Sequence, residues 1–356
     1  MSPTVRRLGF VALLITGLHQ SSAADPPTPD VAPDSAHDPV ALPTPWIDQG
    51  ASPVRESVDG LPEAVSRGAS PPAEGRGDHK LAAALTLGGL YAGFTTWTYF
   101  AWYRQHKPLS EFKWGGDGWL ETRTYAGGAD KFGHAWATMS LARAGTELLR
   151  QWGGYSRLTS ALIGTGLAEA LFLGVEVKDG FYYEFSFSDA TGNTLGALFA
   201  LAMSLSPRLD ELLDYRVQYW PSSAYRRQFS GGNVNIAEDY TGETFLLAFH
   251  LGGIHALRDQ QWGTWARFVD VAAGFATRGY KPDPPAQAPD YDRRQDMYLG
   301  ISLNAQGLFD WLLDGRSNVA RKLTHGVFEV FNPPATFVPL LDRKRTPDGA
   351  VAHDGA

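Results

Sequence analysis

Cysteine is absent from the 356 residues of this chain. Its absence excludes disulfide bonds, thiolate metal sites, a cysteine nucleophile and the lipid that bacterial lipoproteins carry on an N-terminal cysteine. Long runs of lysine or arginine are also missing, and 31 basic residues against 38 acidic ones give a net charge of −7. This balance does not indicate a nucleic-acid partner. Without disulfides, the fold must be held together by packing and polar contacts.

Several catalytic signatures are missing as well. The sequence contains no Gly-x-Ser-x-Gly elbow, no His-Glu-x-x-His zinc motif and no lipid-phosphatase signature. It also lacks the paired Glu-x-x-His elements of di-iron helix bundles. We therefore predict no cofactor and no metal from the sequence.

The N-terminal part of the chain indicates export. A signal peptide is predicted for residues 1–24, because a basic start is followed by an apolar run (8–18) and by small residues that suit cleavage. Residues 25–78 are rich in Pro, Asp and Ala, and so few apolar side chains cannot offset the entropy lost on ordering. We predict a disordered linker there, and a periplasmic protein associated with the inner or outer membrane.

Residues 79–220 are predicted to form a domain built as a helical bundle. Residues 81–103 carry no formal charge and end in aromatic side chains, as membrane-spanning helices do. Three further helical patterns contain charged residues: 131–150, 157–177 and 188–205. In the last of them, Gly192, Gly196 and Ala200 recur every four residues and would let another helix approach closely. Residues 208–220 look like an amphipathic surface helix.

The pattern changes after about residue 230. Partial two-residue alternation predicts antiparallel strands at 245–251, 268–277 and 297–304, in a sheet of three or four strands. We predict a β-containing region over 221–335 that ends in a helix, and a loose tail over 336–356. The predicted fold class is mainly α, a four-helix bundle partly embedded in or associated with a membrane, with a small antiparallel β region, and so α+β overall.

Polar residues stand at three places in the helical patterns. They are Asp130, Lys131 and His134 in the first, Glu176 and Asp179 in the second, and Asp189 and Asn193 in the third. Asp130 and His134 are four residues apart and share a helix face, so the carboxylate could orient the imidazole. Charges between apolar helices are costly unless they are paired. We therefore predict that these seven side chains meet in one polar cluster between helices.

The order of these motifs resembles a known family. The segments are Asp130-Lys131-x-x-His134, Glu176-x-x-Asp179-Gly180 and Ser186-x-Ser188-Asp189-x-x-x-Asn193-x-x-Gly196. They are similar to the YfiM-like predicted periplasmic lipoproteins, whose function is unknown, and more distantly to the VanZ-like membrane proteins. The resemblance implies a helical envelope domain without an established activity. Two departures stand out: Val175 occupies a position that is often Lys in the family, and the chain lacks the cysteine of a lipoprotein.

Three functions remain open at this point. The first is an envelope protein without enzymatic activity, exported and membrane-associated, in which the polar cluster locks helices together. The second is an enzyme acting on a lipid-linked or cell-wall substrate, with His134 as general base, oriented by Asp130. Lys131 would stabilise an anion, and Glu176 or Asp189 would be a partner. The third is a lipid- or ligand-binding module. In each case a membrane or lipid is the expected partner.

Overall fold

The computed structural model describes residues 79–116, 118–124, 126–230, 232, 235–260, 262–280, 293–314, 318–347 and 351–352. All of them belong to one compact unit, Ala69–Ala356. The predicted signal peptide (1–24) and the predicted linker (25–78) lie outside the described residues.

The helical elements follow the predicted order in the first half of the chain. The α-helices are α1 (Lys80–Thr98), α2 (Ala129–Gln151), α3 (Arg157–Tyr182), α4 (Phe187–Leu205), α5 (Pro207–Asp210), α6 (Ser223–Ser230), α7 (His255–Arg258), α8 (Ala305–Leu312) and α9 (Asn318–Val330). A π-helical turn, Tyr99–Tyr103, extends α1. The start of α3 is capped by Ser156, which accepts from Thr159 N, and that of α4 by Ser186, which accepts from Asp189 N.

Helices α2, α3 and α4 pack against one another in a layer with α2 in contact with both of the others. Glycine makes this close approach possible. A Cβ atom on Gly196 would lie 2.1 Å from the carbonyl oxygen of Ala135, and one on Gly192 would lie 2.8 Å from that of Lys131. The small-residue spacing predicted the close approach of another helix, and the structure shows that this helix is α2. The four-helix arrangement that includes α1 stays a prediction.

The C-terminal half forms a sheet that is larger than predicted. Its strands are β3 (Leu213–Tyr219), β4 (Glu243–His250), β5 (Val269–Arg278), β6 (Arg294–Leu303), β7 (Phe331–Asn332), β8 (Phe337–Arg345) and β9 (Val351–Ala352), in the order β7-β3-β4-β5-β6-β8-β9. All neighbours are antiparallel except β3 and β7. A separate parallel pair joins β1 (Trp114–Gly115) to β2 (Phe185–Ser186).

The first turns of α2 pack on one face of the sheet. The ring of Phe132 stacks on Phe275 with a centroid distance of 4.4 Å, and Tyr215 on β3 donates a hydrogen bond to the carbonyl oxygen of Phe132. Further along α2, the indole N–H of Trp136 donates to the carbonyl oxygen of Val330 at 2.8 Å. Helix α2 therefore lies between the other helices and the sheet, and its residues contact both.

Two predictions about the C-terminal half were wrong. Residues 208–220 do not form one amphipathic helix, because only Pro207–Asp210 is helical and Leu213–Tyr219 is strand β3, paired along its length with β4. The tail from residue 336 is not loose throughout, since Phe337–Arg345 is strand β8, paired with β6. The predicted boundary near residue 220 also separates β3 from the strand with which it pairs.

One helix in the described part of the chain, α3, is long and apolar enough to cross a membrane by length and composition. Its most apolar window has a mean hydropathy of 1.6 and is 39% buried. Residues 81–103, which were predicted to insert, form α1 and the π-helical turn. Their insertion stays a prediction.

Candidate functional site

The seven predicted polar residues lie on three neighbouring helices. Three of them occupy the first two turns of α2 (Asp130, Lys131, His134), two lie near the end of α3 (Glu176, Asp179), and two lie in the first two turns of α4 (Asp189, Asn193). Since α2 packs on both α3 and α4, these positions face one another. We refer to these seven side chains as the polar cluster.

Lys131 connects two of the helices. Its ammonium nitrogen lies 2.5 Å from Asp130 Oδ2 on its own helix and 2.8 Å from Asp189 Oδ1 on α4. All three residues are buried. A buried lysine between two carboxylates is far less costly than an isolated one, because its ammonium group contacts both within hydrogen-bonding distance.

His134 is held through its Nδ1 atom. This nitrogen lies 3.1 Å from Asn193 Oδ1 and 3.3 Å from Glu176 Oε1. Both neighbours are acceptors, so Nδ1 carries a proton and donates. Asn193 in turn donates to Glu176 Oε1 at 3.3 Å and accepts from Thr138 Oγ1 at 2.9 Å. The carboxylate that orients the imidazole is thus Glu176, whereas Asp130, expected in that role, pairs with Lys131.

Burial changes the protonation of the cluster. It raises the pKa of Glu176 to about 7, although His134 counteracts part of this effect. Burial likewise raises the pKa of Asp179 to about 6, against the hydrogen bond that Asp179 accepts from the Tyr103 hydroxyl at 2.7 Å. For His134, burial lowers the pKa, but the charges of Asp189, Glu176 and Asp130 outweigh it, so the pKa is raised overall. These three side chains of the cluster therefore bind protons more tightly than the same side chains do in free solution.

The polar cluster borders a cavity of about 780 Å³ between the helices and the sheet. Aromatic side chains make up much of its wall: Phe94, Trp97, Trp102, Trp136, Phe172, Tyr183, Tyr219, Tyr240, Phe245 and Phe331. Asp130, His134, Glu176, Asp179 and Asp189 line the same cavity. The cavity thus has an apolar wall with polar groups converging on part of it, which is the usual composition of small-molecule sites.

Three of these groups have the spacing of a metal site. Ligand atoms of His134, Glu176 and Asp189 all lie within 4.8 Å of one another. One imidazole and two carboxylates suit several divalent ions. However, the ammonium group of Lys131 already contacts Asp189 at 2.8 Å and would repel a second cation there. We therefore assign no metal to the cluster.

Sequence reasoning missed several residues of the site. Thr138 is four residues after His134 on the same helix face and holds Asn193, so helical spacing alone could have indicated it. Tyr103, which holds Asp179, gave no local signal, and Glu243, which lines the cavity from β4, was not grouped with the polar cluster. Their positions depend on contacts between segments that are far apart in the chain.

A second cluster of buried charged side chains, which belong to strands β3, β4 and β5, was also missed. The guanidinium of Arg216 contacts Asp214 and, at 2.7 Å, Asp270 Oδ2. His250 lies 3.0 Å from Asp214 Oδ2 and 2.8 Å from Asp270 Oδ1. Burial lowers the pKa of His250, but the two aspartates raise it to about 9 overall, so the imidazole is charged at neutral pH. Two positive and two negative charges then balance within this group.

Comparison with known proteins places the cluster inside a recognised sequence family model. The model described as "Predicted periplasmic lipoprotein (DUF2279)" matches residues 116–204, which include all seven residues of the polar cluster. Searches of curated proteins and of solved structures each found no match. The similarity supports an exported, periplasmic and membrane-associated protein. A lipid on cysteine, which the family description implies, is not available to this chain.

Proposed function

We propose that this protein is a membrane-associated protein of the periplasm that binds an amphiphilic molecule in the cavity between its helices and its sheet. The observation that carries the proposal is the cavity itself. Its volume of about 780 Å³ and its aromatic wall suit an alkyl chain or a small ring system, and the polar cluster offers partners for a head group.

The polar cluster then has two parts with different roles. Lys131, Asp130 and Asp189 form the structural part, because their contacts join α2 to α4. His134 and Glu176 form the part that faces the ligand, since both line the cavity and both are held in place by Asn193. This division retains the structural role that the sequence suggested for the cluster and adds a binding role.

The outer faces of two helices support membrane association. On α3 the exposed large hydrophobic side chains are Leu158, Leu162, Ile163, Leu167, Val177 and Phe181, and the charged Arg157 is exposed only at the first residue of the helix. On α4 they are Phe187, Leu195, Leu198 and Leu205. A helix on the surface of a water-soluble domain normally shows polar residues on its outer face. Here the charges lie inside and the apolar side chains outside, which favours contact of these faces with lipid.

A second candidate function is an enzyme on a lipid-linked or cell-wall substrate. The favouring observation is that His134 and Glu176 form a hydrogen-bonded pair on the cavity wall, in which burial raises the pKa of Glu176 to about 7. A carboxyl group with a pKa near neutral, beside an imidazole, suits proton transfer. In this case His134→Ala would still bind the amphiphile but would no longer convert it.

The proposal can be tested on molecules that copurify with the protein. We expect mass spectrometry of membrane discs solubilised by polymer, without detergent, to find one amphiphile enriched with the wild-type protein. Ala137→Trp should remove it, because Ala137 lines the cavity and an indole there fills part of the volume. Ala170→Trp is the matched control, since Ala170 is exposed on α3.

Melting temperatures should be measured for both variants, so that loss of ligand is not confused with loss of fold. The same set of lipids in equal amounts with the wild-type protein and both variants would contradict the proposal, because only lipids bound to the outer surface would explain it.

A further inference from the structure

We infer that the molecule in the cavity carries a positive charge, as an ammonium group on an apolar body does. This inference rests on the proposed function and names the class of ligand. The first observation is the charge of the lining. Seven Asp and Glu side chains line the cavity: Asp130, Glu176, Asp179, Glu184, Asp189, Glu238 and Glu243. No lysine or arginine is among the lining residues that the structure describes.

Some of these carboxylates are already compensated within the protein. Lys131 is shared between Asp130 and Asp189, and Lys113 lies 3.0 Å from Glu184. Glu176 and Glu243 have no lysine or arginine partner among the described residues. Glu176 lines the cavity from α3, and Glu243, the first residue of β4, lines it from the sheet.

Glu176 leaves one oxygen for a ligand. Its side chain is 1% exposed, and both of its contacts, to His134 and to Asn193, use Oε1. Among the described residues Oε2 has no hydrogen-bond partner. This oxygen on the cavity wall is therefore open to a ligand, and a cationic head group would supply the opposite charge.

Glu243 offers a complete carboxyl group. Within the described part of the chain its side chain has neither a hydrogen-bond partner nor an ion pair, although it lines the cavity. Burial and, after it, the charge of the nearby Asp239 raise the pKa of Glu243 well above its usual range, so a cation bound beside it would favour release of the proton. No contact among the described residues therefore supports a structural role for this side chain, and its place on the cavity wall supports a role in binding a cation.

The aromatic wall provides the second, independent observation. Trp97, Trp102 and Trp136 all line the cavity, and the face of an indole ring attracts a cation more strongly than any other side-chain ring does. The chain already uses such contacts nearby, since the ammonium group of Lys178 lies 3.7 Å from the ring centre of Tyr103. Rings combined with carboxylates recognise alkylammonium groups, whereas an anionic head group would meet repulsion from the same lining.

The test compares amphiphiles that have alkyl chains of similar length and head groups of different charge. Decyltrimethylammonium, decyl maltoside and decanoate are titrated below their micelle concentrations into the full chain held in amphipathic polymer. Binding is followed by tryptophan fluorescence, because three tryptophans line the cavity. We expect the cation to bind roughly tenfold more tightly than the neutral compound, and the anion most weakly.

Glu243→Gln should reduce the preference for the cation several-fold and leave binding of decyl maltoside unchanged. Glu147→Gln is the control, because Glu147 pairs with Arg150 away from the cavity. Equal binding of cation and neutral compound, or an unchanged preference in Glu243→Gln, would overturn the inference while leaving amphiphile binding intact. No binding of any compound would contradict the proposed function as well.

A further pair of compounds distinguishes two sources of the ammonium group. Dihexanoyl phosphatidylethanolamine carries it next to a phosphate, and decylamine carries it alone. Binding of both supports a lipid head group, and binding of decylamine alone supports a free amine. Binding of neither, with decyl maltoside still bound, would overturn the inference.

Discussion

Replacing Glu176 by Gln should change how the stability of the protein depends on pH. Glu176 is 1% exposed, and burial raises its pKa from 4.5 to about 7. Gln has nearly the same shape and keeps an oxygen that can accept from Asn193 and His134. Unlike Glu, it cannot ionise. The substitution therefore removes one titration while preserving the hydrogen bonds of the cluster.

The size of the effect follows from the shift in pKa. A carboxyl group with a raised pKa binds its proton more tightly in the folded chain, so its contribution to stability is complete below about pH 4.5 and is lost as the pH rises through 7. A shift of about 2.5 units corresponds to about 3 kcal/mol. His134 acts in the same direction, because its pKa is also raised in the folded chain.

The assay is the free energy of unfolding by denaturant, measured from about pH 4.5 to pH 8 in one neutral detergent. Between these limits we expect Glu176→Gln to gain about 3 kcal/mol relative to the wild-type protein. Glu147→Gln, which alters an ion pair at the surface, should follow the wild-type curve. Parallel curves for the wild-type protein and Glu176→Gln would refute the reasoning, because they would mean that Glu176 ionises as freely as in the unfolded chain.

Three further predictions concern the fold and the membrane. Arg216→Met should lower the free energy of unfolding by about 3–5 kcal/mol, because two buried aspartates lose a shared counterion; Arg150→Met, at an exposed ion pair, should cost less than about 1 kcal/mol. Asn193→Ala should cost about 1–3 kcal/mol in a melting experiment and broaden the His134 NMR signal, and a cost near zero would argue against its clamp role. Leu162→Glu should weaken retention in a carbonate wash of membranes, whereas Gln151→Glu should leave it unchanged; equal retention would argue against lipid contact at α3.

Much of the helical part could be predicted from the sequence. The helix predicted for 131–150 forms Ala129–Gln151, and that predicted for 188–205 forms Phe187–Leu205. These segments have local signals, such as the Ser186 cap and the apolar run after it. The polar residues could be grouped for a physical reason as well, since charges on apolar helices require partners on neighbouring helices.

The sheet was harder to predict because its strands do not show simple alternation. On β3, Asp214 and Arg216 point to one face and Tyr215 and Val217 to the other. Asp214, Arg216 and Val217 are all buried. Polar residues on a buried strand face hide the alternation of apolar and polar residues, and the sequence pattern then resembles that of an amphipathic helix. The partners that make them tolerable come from β4 and β5, more than 30 residues later in the chain. Pairing at such a distance leaves no local signal.

The cavity could not be predicted for a related reason. Its wall combines residues from α1, such as Trp97, with residues from α3 and from β4, such as Phe172 and Phe245. A cavity exists only where these elements pack without filling the space between them. Spacing within one element does not report on that space.

The central claim is that the cavity holds an amphiphile, and photo-crosslinking tests it most directly. A decylamine that carries a diazirine near the end of its chain is bound to the full-length protein, irradiated, and located by peptide mass spectrometry. The account predicts labels on cavity residues such as Phe172 and Trp136, and their loss in Ala137→Trp. Labels confined to the outer face of α3, around Leu162, and unchanged in Ala137→Trp, would contradict it.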